Sequence, residues 1–114
     1  MLGIQLDRTM VRGDTFYLPI RLIRGGEPYI FTEADTIIFR LWDPYKDTVL
    51  IEKRCTDFPG GVIRIKLEPA DTKSLAFKKY KYEVEWTNPS GDVFTLLYDS
   101  VMDIRPESKE KAVN

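Results

Sequence analysis

The sequence predicts an all-β fold, an antiparallel β-sandwich of about seven short strands with one short helical turn near 69–76. Two observations carry this reading. Apolar and polar residues alternate through most of the chain, which is the period of a strand with one buried face. Clusters of Gly, Pro, Asn and Asp punctuate that alternation about every 8–12 residues, the spacing of sandwich turns. At 114 residues and 43% hydrophobic content, the chain makes one domain able to bury a core.

The elements follow in order. Residues 4–11 add a first strand. Arg12-Gly13-Asp14 comes next, the tripeptide that many extracellular ligands show to integrins. An adhesive copy stands at the tip of an exposed loop, whereas this one directly precedes an alternating strand. It is therefore read as a structural turn, with Gly13 supplying backbone freedom and Asp14 accepting bonds from nearby amides, as an Asx-turn does.

Thr15 to Ile23 places Phe16, Leu18, Ile20 and Leu22 on one face. Pro19, on the other face, cannot donate to a ladder and marks an edge or bulged strand. Arg24 to Pro28 turns the chain. Thr36 to Trp42 sets Ile37, Phe39 and Leu41 against Ile38, Arg40 and Trp42. Asp43 to Asp47 is a loop, Val49 to Cys55 is a strand, and Phe58-Pro59-Gly60-Gly61 is expected to close a hairpin onto Val62 to Leu67.

Pro69 to Leu75 interrupts the alternation and predicts a helical turn started by Asp71 or Thr72. Tyr80, Tyr82, Val84 and Trp86 then alternate with Lys81, Glu83 and Glu85. Asn88 to Asp92 turns, and Val93 to Tyr98 pairs back, continuing through Val101 to Ile104 after a kink near Asp99 and Ser100. Residues 1–105 form the single β-sandwich domain and 106–114 a flexible polar C-terminal tail.

The strand count and turn spacing give the sandwich an immunoglobulin-like character, with a small barrel as the alternative. Leu67, Asp71, Thr72 and Tyr80 are spaced like the connection before the sixth strand of such a domain, where a tyrosine hydroxyl bonds back to the loop. Tyr80 and Asp71 are thus tyrosine-corner candidates. Tyr82 stands where the second cysteine would be, so the core rests on aromatics such as Phe39 and Trp86.

Composition removes several function classes. Net charge is -1, and residues 1–57 and 58–114 carry nearly balanced charges, 8 basic with 9 acidic and 9 with 9. A nucleic-acid surface concentrates positive charge; the nearest concentration, Lys78, Lys79 and Lys81, reads as a solvated turn and strand face. There is no histidine, the most common general base and metal ligand. Asp99 and Asp103 as a glycosidase-type pair and Asp43 with Asp47 as a calcium loop are weaker readings than turn charges. Cys55, the single cysteine, forms no internal disulfide and has no histidine to activate it. Catalytic residues, cofactors, metals, nucleic acid and membrane partners are all expected to be absent. No signal peptide and no membrane-spanning apolar run is visible, which predicts a soluble protein.

Four segments taken in order resemble small phage and prophage tail proteins, including the N-terminal domain of the baseplate upper protein family. They are VRGDTFYLPI at 11–20, GGEPYIFTEA at 25–34, GGVIRIKLEPADTKSL at 60–75 and YKYEVEWTNPSGDVFTLL at 80–97. The resemblance covers nearly all of the chain to about Arg105. It implies a non-catalytic immunoglobulin-like module of a virion tail or baseplate, made in the host bacterial cytoplasm, oligomeric in the particle and bound to other virion proteins. A baseplate upper protein continues into a segment that holds receptor-binding proteins; this sequence covers one domain, either as a stand-alone relative or as a fragment, so the resemblance does not extend to a receptor-holding role. The alternatives are a surface adhesion or carbohydrate-binding module and a carbohydrate-active enzyme.

A particle subunit needs apolar side chains that find partners. Trp42, Ile38, Tyr17 and Tyr45 are the candidate interface. Trp42 itself has two readings, cover by a neighbouring loop or contact with another subunit.

Overall fold

A computed structural model describes residues 3–107. It is all-β and sandwich-like. Nine strands lie among the described residues: β1 (Arg8–Val11), β2 (Phe16–Ile20), β3 (Ile23–Arg24), β4 (Glu27–Pro28), β5 (Thr36–Asp43), β6 (Thr48–Cys55), β7 (Ile63–Leu67), β8 (Lys78–Thr87) and β9 (Val93–Arg105). The tail expected over 106–114 lies, from 108 onward, outside the described residues.

One layer is a five-stranded sheet in the order β1-β9-β8-β5-β6; the other is the antiparallel pair β2–β7. All neighbours in the large sheet are antiparallel except β1, which runs parallel to β9. The alternation explains the layering. Ile37, Phe39 and Leu41 of β5 and Tyr80, Tyr82, Val84 and Trp86 of β8 turn inward to meet Leu18, Ile63, Ile65 and Leu67 from the small sheet in one core. Phe39, Tyr82 and Trp86 have no exposed surface at all, so large aromatics make up the centre of the core.

Phe58-Pro59-Gly60-Gly61 does not close a hairpin. A short 3-10 turn, Pro59–Gly61, passes the chain from one sheet to the other: β6 pairs with β5, whereas β7 pairs with β2. Gly61 has φ +73°, and a Cβ there would lie 2.5 Å from Ile30 Cγ2. The backbone is pressed against residues 30 and 31, and the Phe31 N–H donates to the Gly61 carbonyl at 2.9 Å. Turn chemistry in the sequence marked the bend; it carried no information about which sheet receives the next strand.

The expected helical turn is present as α1 (Pro69–Thr72), but neither Asp71 nor Thr72 starts it. Glu68 is the cap, Pro69 occupies the first turn, and Asp71 sits at the third helical position. There its carboxylate accepts from the Glu68 N–H at 2.7 Å as part of a capping box.

One buried acid organises the core. Asp35 has no exposed surface. Its Oδ1 accepts from Trp86 Nε1 at 2.8 Å and from the Tyr29 hydroxyl at 3.0 Å, and its Oδ2 accepts from the Thr32 N–H at 2.9 Å. Around it Tyr29, Phe31, Phe58, Trp86 and Phe94 form a chain of ring contacts. Among the described residues, no buried side-chain nitrogen or oxygen is left without a partner.

Tyr82 ties the N-terminal segment down by donating its buried hydroxyl to the Leu6 carbonyl. Burial pushes its pKa up from 10 to about 12, with Arg8 and Ser100 opposing the rise. A tyrosine raised in this way stabilises the fold fully below pH 10. That contribution is lost as the pH climbs towards 12.

Replacing Asp35 by Ala strands the buried Trp86 N–H, the half-buried Tyr29 hydroxyl and a backbone N–H, and we expect a loss of about 3 kcal/mol in urea denaturation. Asp35→Asn keeps an oxygen for Trp86 and Tyr29 and loses less; equal losses would show that the Oδ1 pair contributes nothing. Tyr82→Phe should cost about 1 kcal/mol at neutral pH. Its stability measured from pH 9 to 12 should fall less steeply than that of the wild type.

Candidate interaction surface

The sequence reading grouped Trp42, Ile38, Tyr17 and Tyr45; the fold divides them. Ile38 and Trp42 alternate with the buried residues of β5 and lie half-buried on the outer face of the large sheet. Tyr17 flanks buried Leu18 on β2 and faces outward from the opposite layer, with the Arg64 guanidinium 3.9 Å from its ring centre. It lines a shallow depression with Pro59, Val62, Arg64 and Lys66. Tyr45 stands in the β5–β6 turn and is 89% exposed. β5 and β2 belong to opposite layers of the sandwich, so one patch cannot hold all four.

The structure adds two exposed apolar residues beside Trp42. Leu41 pairs with Ile51 but Trp42 pairs with Val49, so β6 carries a bulge at Val49 and Leu50. These two side chains are 51% and 42% exposed, beside Trp42 on the edge strand. The run Val49-Leu50-Ile51 was the available signal: three consecutive apolar residues cannot all enter the core of an alternating strand.

The centre of this outer face is charged. Arg40 Nε meets Glu52 at 3.0 Å, and Arg40 Nη1 meets Glu83 at 3.3 Å and Glu85 at 3.9 Å. Partial burial works against its charge, but the hydrogen bond to Glu52 and the fields of Glu85, Glu52 and Glu83 raise its pKa overall.

The turn at the end of β5 is closed by Asp43. Its Oδ1 accepts from the Tyr45 N–H at 2.9 Å and its Oδ2 from Lys78 Nζ at 2.6 Å. The Lys78 bond lowers the Asp43 pKa, helped by the Tyr45 amide. The same bond raises that of Lys78, whose ammonium stands between the rings of Tyr45 and Tyr80. Both oxygens of Asp43 are thus occupied without a metal, and no cluster of three or more metal-type ligands occurs among the described residues.

Other sequence candidates separate as well. Asp99 meets Lys81 at 3.0 Å and Gln5 at 3.2 Å, whereas Asp103 meets Arg105 at 3.7 Å, so each acid has its own partner. Lys78 lies on the inner side of β8, and Lys79 and Lys81 lie on the outer, which splits the basic cluster. Cys55 is half-buried, and burial raises its thiol pKa against the field of Lys53.

Tyr80 does bond back to its loop: the hydroxyl donates to the Ala76 carbonyl at 2.8 Å. Asp71 has no part in this bond. Beyond its capping role, it holds Lys53 at 2.8 Å and so pins α1 to β6.

The Arg12-Gly13-Asp14 turn is anchored at each position. The Arg12 N–H donates to the Arg105 carbonyl at 3.0 Å, and its guanidinium lies 4.1 Å from the Phe77 ring centre. Gly13 has φ +82° and its N–H donates to Thr72 Oγ1 at 2.9 Å. The Asp14 N–H closes the turn onto the Val11 carbonyl at 3.2 Å. All three residues are half-buried, so the tripeptide joins the two layers and is not displayed on a loop tip.

Compared with models of known protein families and with curated protein sequences, this chain matches none. Among the described residues, no helix is long and apolar enough to cross a membrane.

Gly13→Ala forces a side chain into the left-handed region, and we expect it to cost about 1–2 kcal/mol in denaturant unfolding. A change within experimental error would mean that the turn relaxes freely.

Proposed function

We propose that this chain is a structural subunit of a bacteriophage or prophage tail or baseplate, a non-catalytic module that binds other virion proteins during assembly. The observation that carries the proposal is the ordered set of four segments, from VRGDTF to the GDVFTLL hairpin, spread over almost the whole domain. The geometry supports it in three ways. β5, β8 and β9 adjoin with β6 beside them, while β2 faces them paired with β7, an arrangement consistent with the immunoglobulin-like reading. The Tyr80 bond to Ala76 is the contact a tyrosine corner makes. Trp42, Tyr45, Val49 and Leu50 supply apolar surface of the kind assembly interfaces bury.

The proposal fits the chemistry of manufacture. A virion component is made in the bacterial cytoplasm and released by lysis, so it folds without disulfides, in keeping with a single cysteine. Its location in the virion is part of the same proposal.

The test is particle content. Tail particles induced from the source strain, purified and analysed by mass spectrometry should contain this chain alongside tail proteins, and its gene should neighbour tail, baseplate or lysis genes. Particles rich in tail proteins but lacking the chain would overturn the proposal.

A further inference from the structure

The strand β6 ends the large sheet, and among the described residues its far edge pairs with nothing. An open edge is a template for another strand. Charged side chains normally protect such an edge. On β6 they are arranged differently: Glu52 and Arg54, of opposite sign, stand two residues apart on the same outer face, each opposite an outward residue of β5, Arg40 and Ile38.

We propose that β6 pairs antiparallel with β6 of a second copy about a two-fold axis at Lys53. In such a pair, directly opposed residues share a face, and symmetry pairs positions equidistant from the axis. Centring on Lys53 sets Glu52 against Arg54 of the other copy, twice. Centring on Glu52 or on Arg54 instead sets like charges against each other, which is destabilising. The Lys53 axis also opposes Ile51 to Cys55 and leaves exposed Leu50 beside Thr56. The two Lys53 side chains do not meet as bare cations, because each is bound to its own Asp71 at 2.8 Å. Glu52 keeps its Arg40 contact, and more than half of its side chain is exposed.

The occupant is thus a second copy of this chain, fixed by charge complementarity, and the result joins two five-stranded sheets into one. The inference stands apart from the virion reading: the mass of the isolated chain tests it, and particle content does not.

Sedimentation velocity should show reversible association to twice the chain mass of 13.3 kDa. Glu52→Arg alone and Arg54→Glu alone should each weaken it at least about tenfold, since each creates two like-charge pairs. Mixed together, these two variants should recover a heterodimer, because arginine then faces glutamate at both positions. Circular dichroism checks that each is folded. An independent readout needs neither variant: Lys53→Cys in a Cys55→Ser background should form a disulfide-linked dimer on oxidation, as opposed strand positions lie within disulfide reach. A monomer at all concentrations up to about 1 mM overturns the proposal. So does a dimer indifferent to both charge reversals, or the absence of the cross-link.

Discussion

The burial of Asp35 is the constraint on which the rest of the fold depends. A carboxyl group without water is tolerated only when its oxygens are occupied, and here an indole, a phenol and a backbone amide occupy them. Two of these donors are local, three and six residues before Asp35, and the third, Trp86, lies 51 residues on. Meeting them fixes the segment from Tyr29 to Asp35 across the end of the core, and it fixes where β5 begins. Thr36 then falls opposite Thr87 and Ile37 opposite Trp86, which sets the β5–β8 register along its length. A one-residue slip would expose Phe39 and bury Arg40. The polar link therefore gives the aromatic core its alignment, while the aromatics supply most of the burial.

Around this core the two outer surfaces differ in kind. The large sheet presents a charged centre at Arg40 and an apolar corner at Trp42, Val49 and Leu50. The small sheet has only two strands and presents Tyr17 among Arg64 and Lys66. A sandwich that leaves both strands of one layer with an open edge stabilises that layer chiefly through its inward face, and Leu18, Ile63, Ile65 and Leu67 are almost wholly buried accordingly.

Much of this was legible in the sequence where one face of a strand is buried and the other wet. β7, and β8 from Tyr80 on, alternate without exception, and their inward residues were assigned correctly from the period alone. The edge character of β2 was legible through Pro19, and the kink in β9 through Asp99 and Ser100. The signal failed wherever position depended on a distant partner. The turn at 58–61 looked local but changes sheets. Asp35 is a lone acid in a loop, with no period to mark it as buried. Asp71 was read as a cap or a partner of Tyr80, yet its actual contacts are Glu68 and Lys53, the second of which lies far back in the chain. The proposed interface residues separated because alternation assigns a face within a strand but not the layer to which that strand belongs.

The kink in β9 has a consequence for how the molecule comes into being. Asp99 adopts φ +47° and breaks the ladder with β8 there. The gap is bridged by residues near the N-terminus: the Leu6 N–H donates to Ser100 Oγ at 2.9 Å, and Asp7 Oδ1 accepts from the Val101 N–H at 2.9 Å. Directly above, β1 runs parallel to β9, pairing Arg8 with Met102. Residues 6 and 7 are therefore seated by residues 94 positions later in the chain. A chain emerging from the ribosome has no place for β1 until residues through Arg105 are available, and closing so long a loop is slow. The first strand of the described chain completes the large sheet and waits, unpaired, for its neighbour β9 to be made.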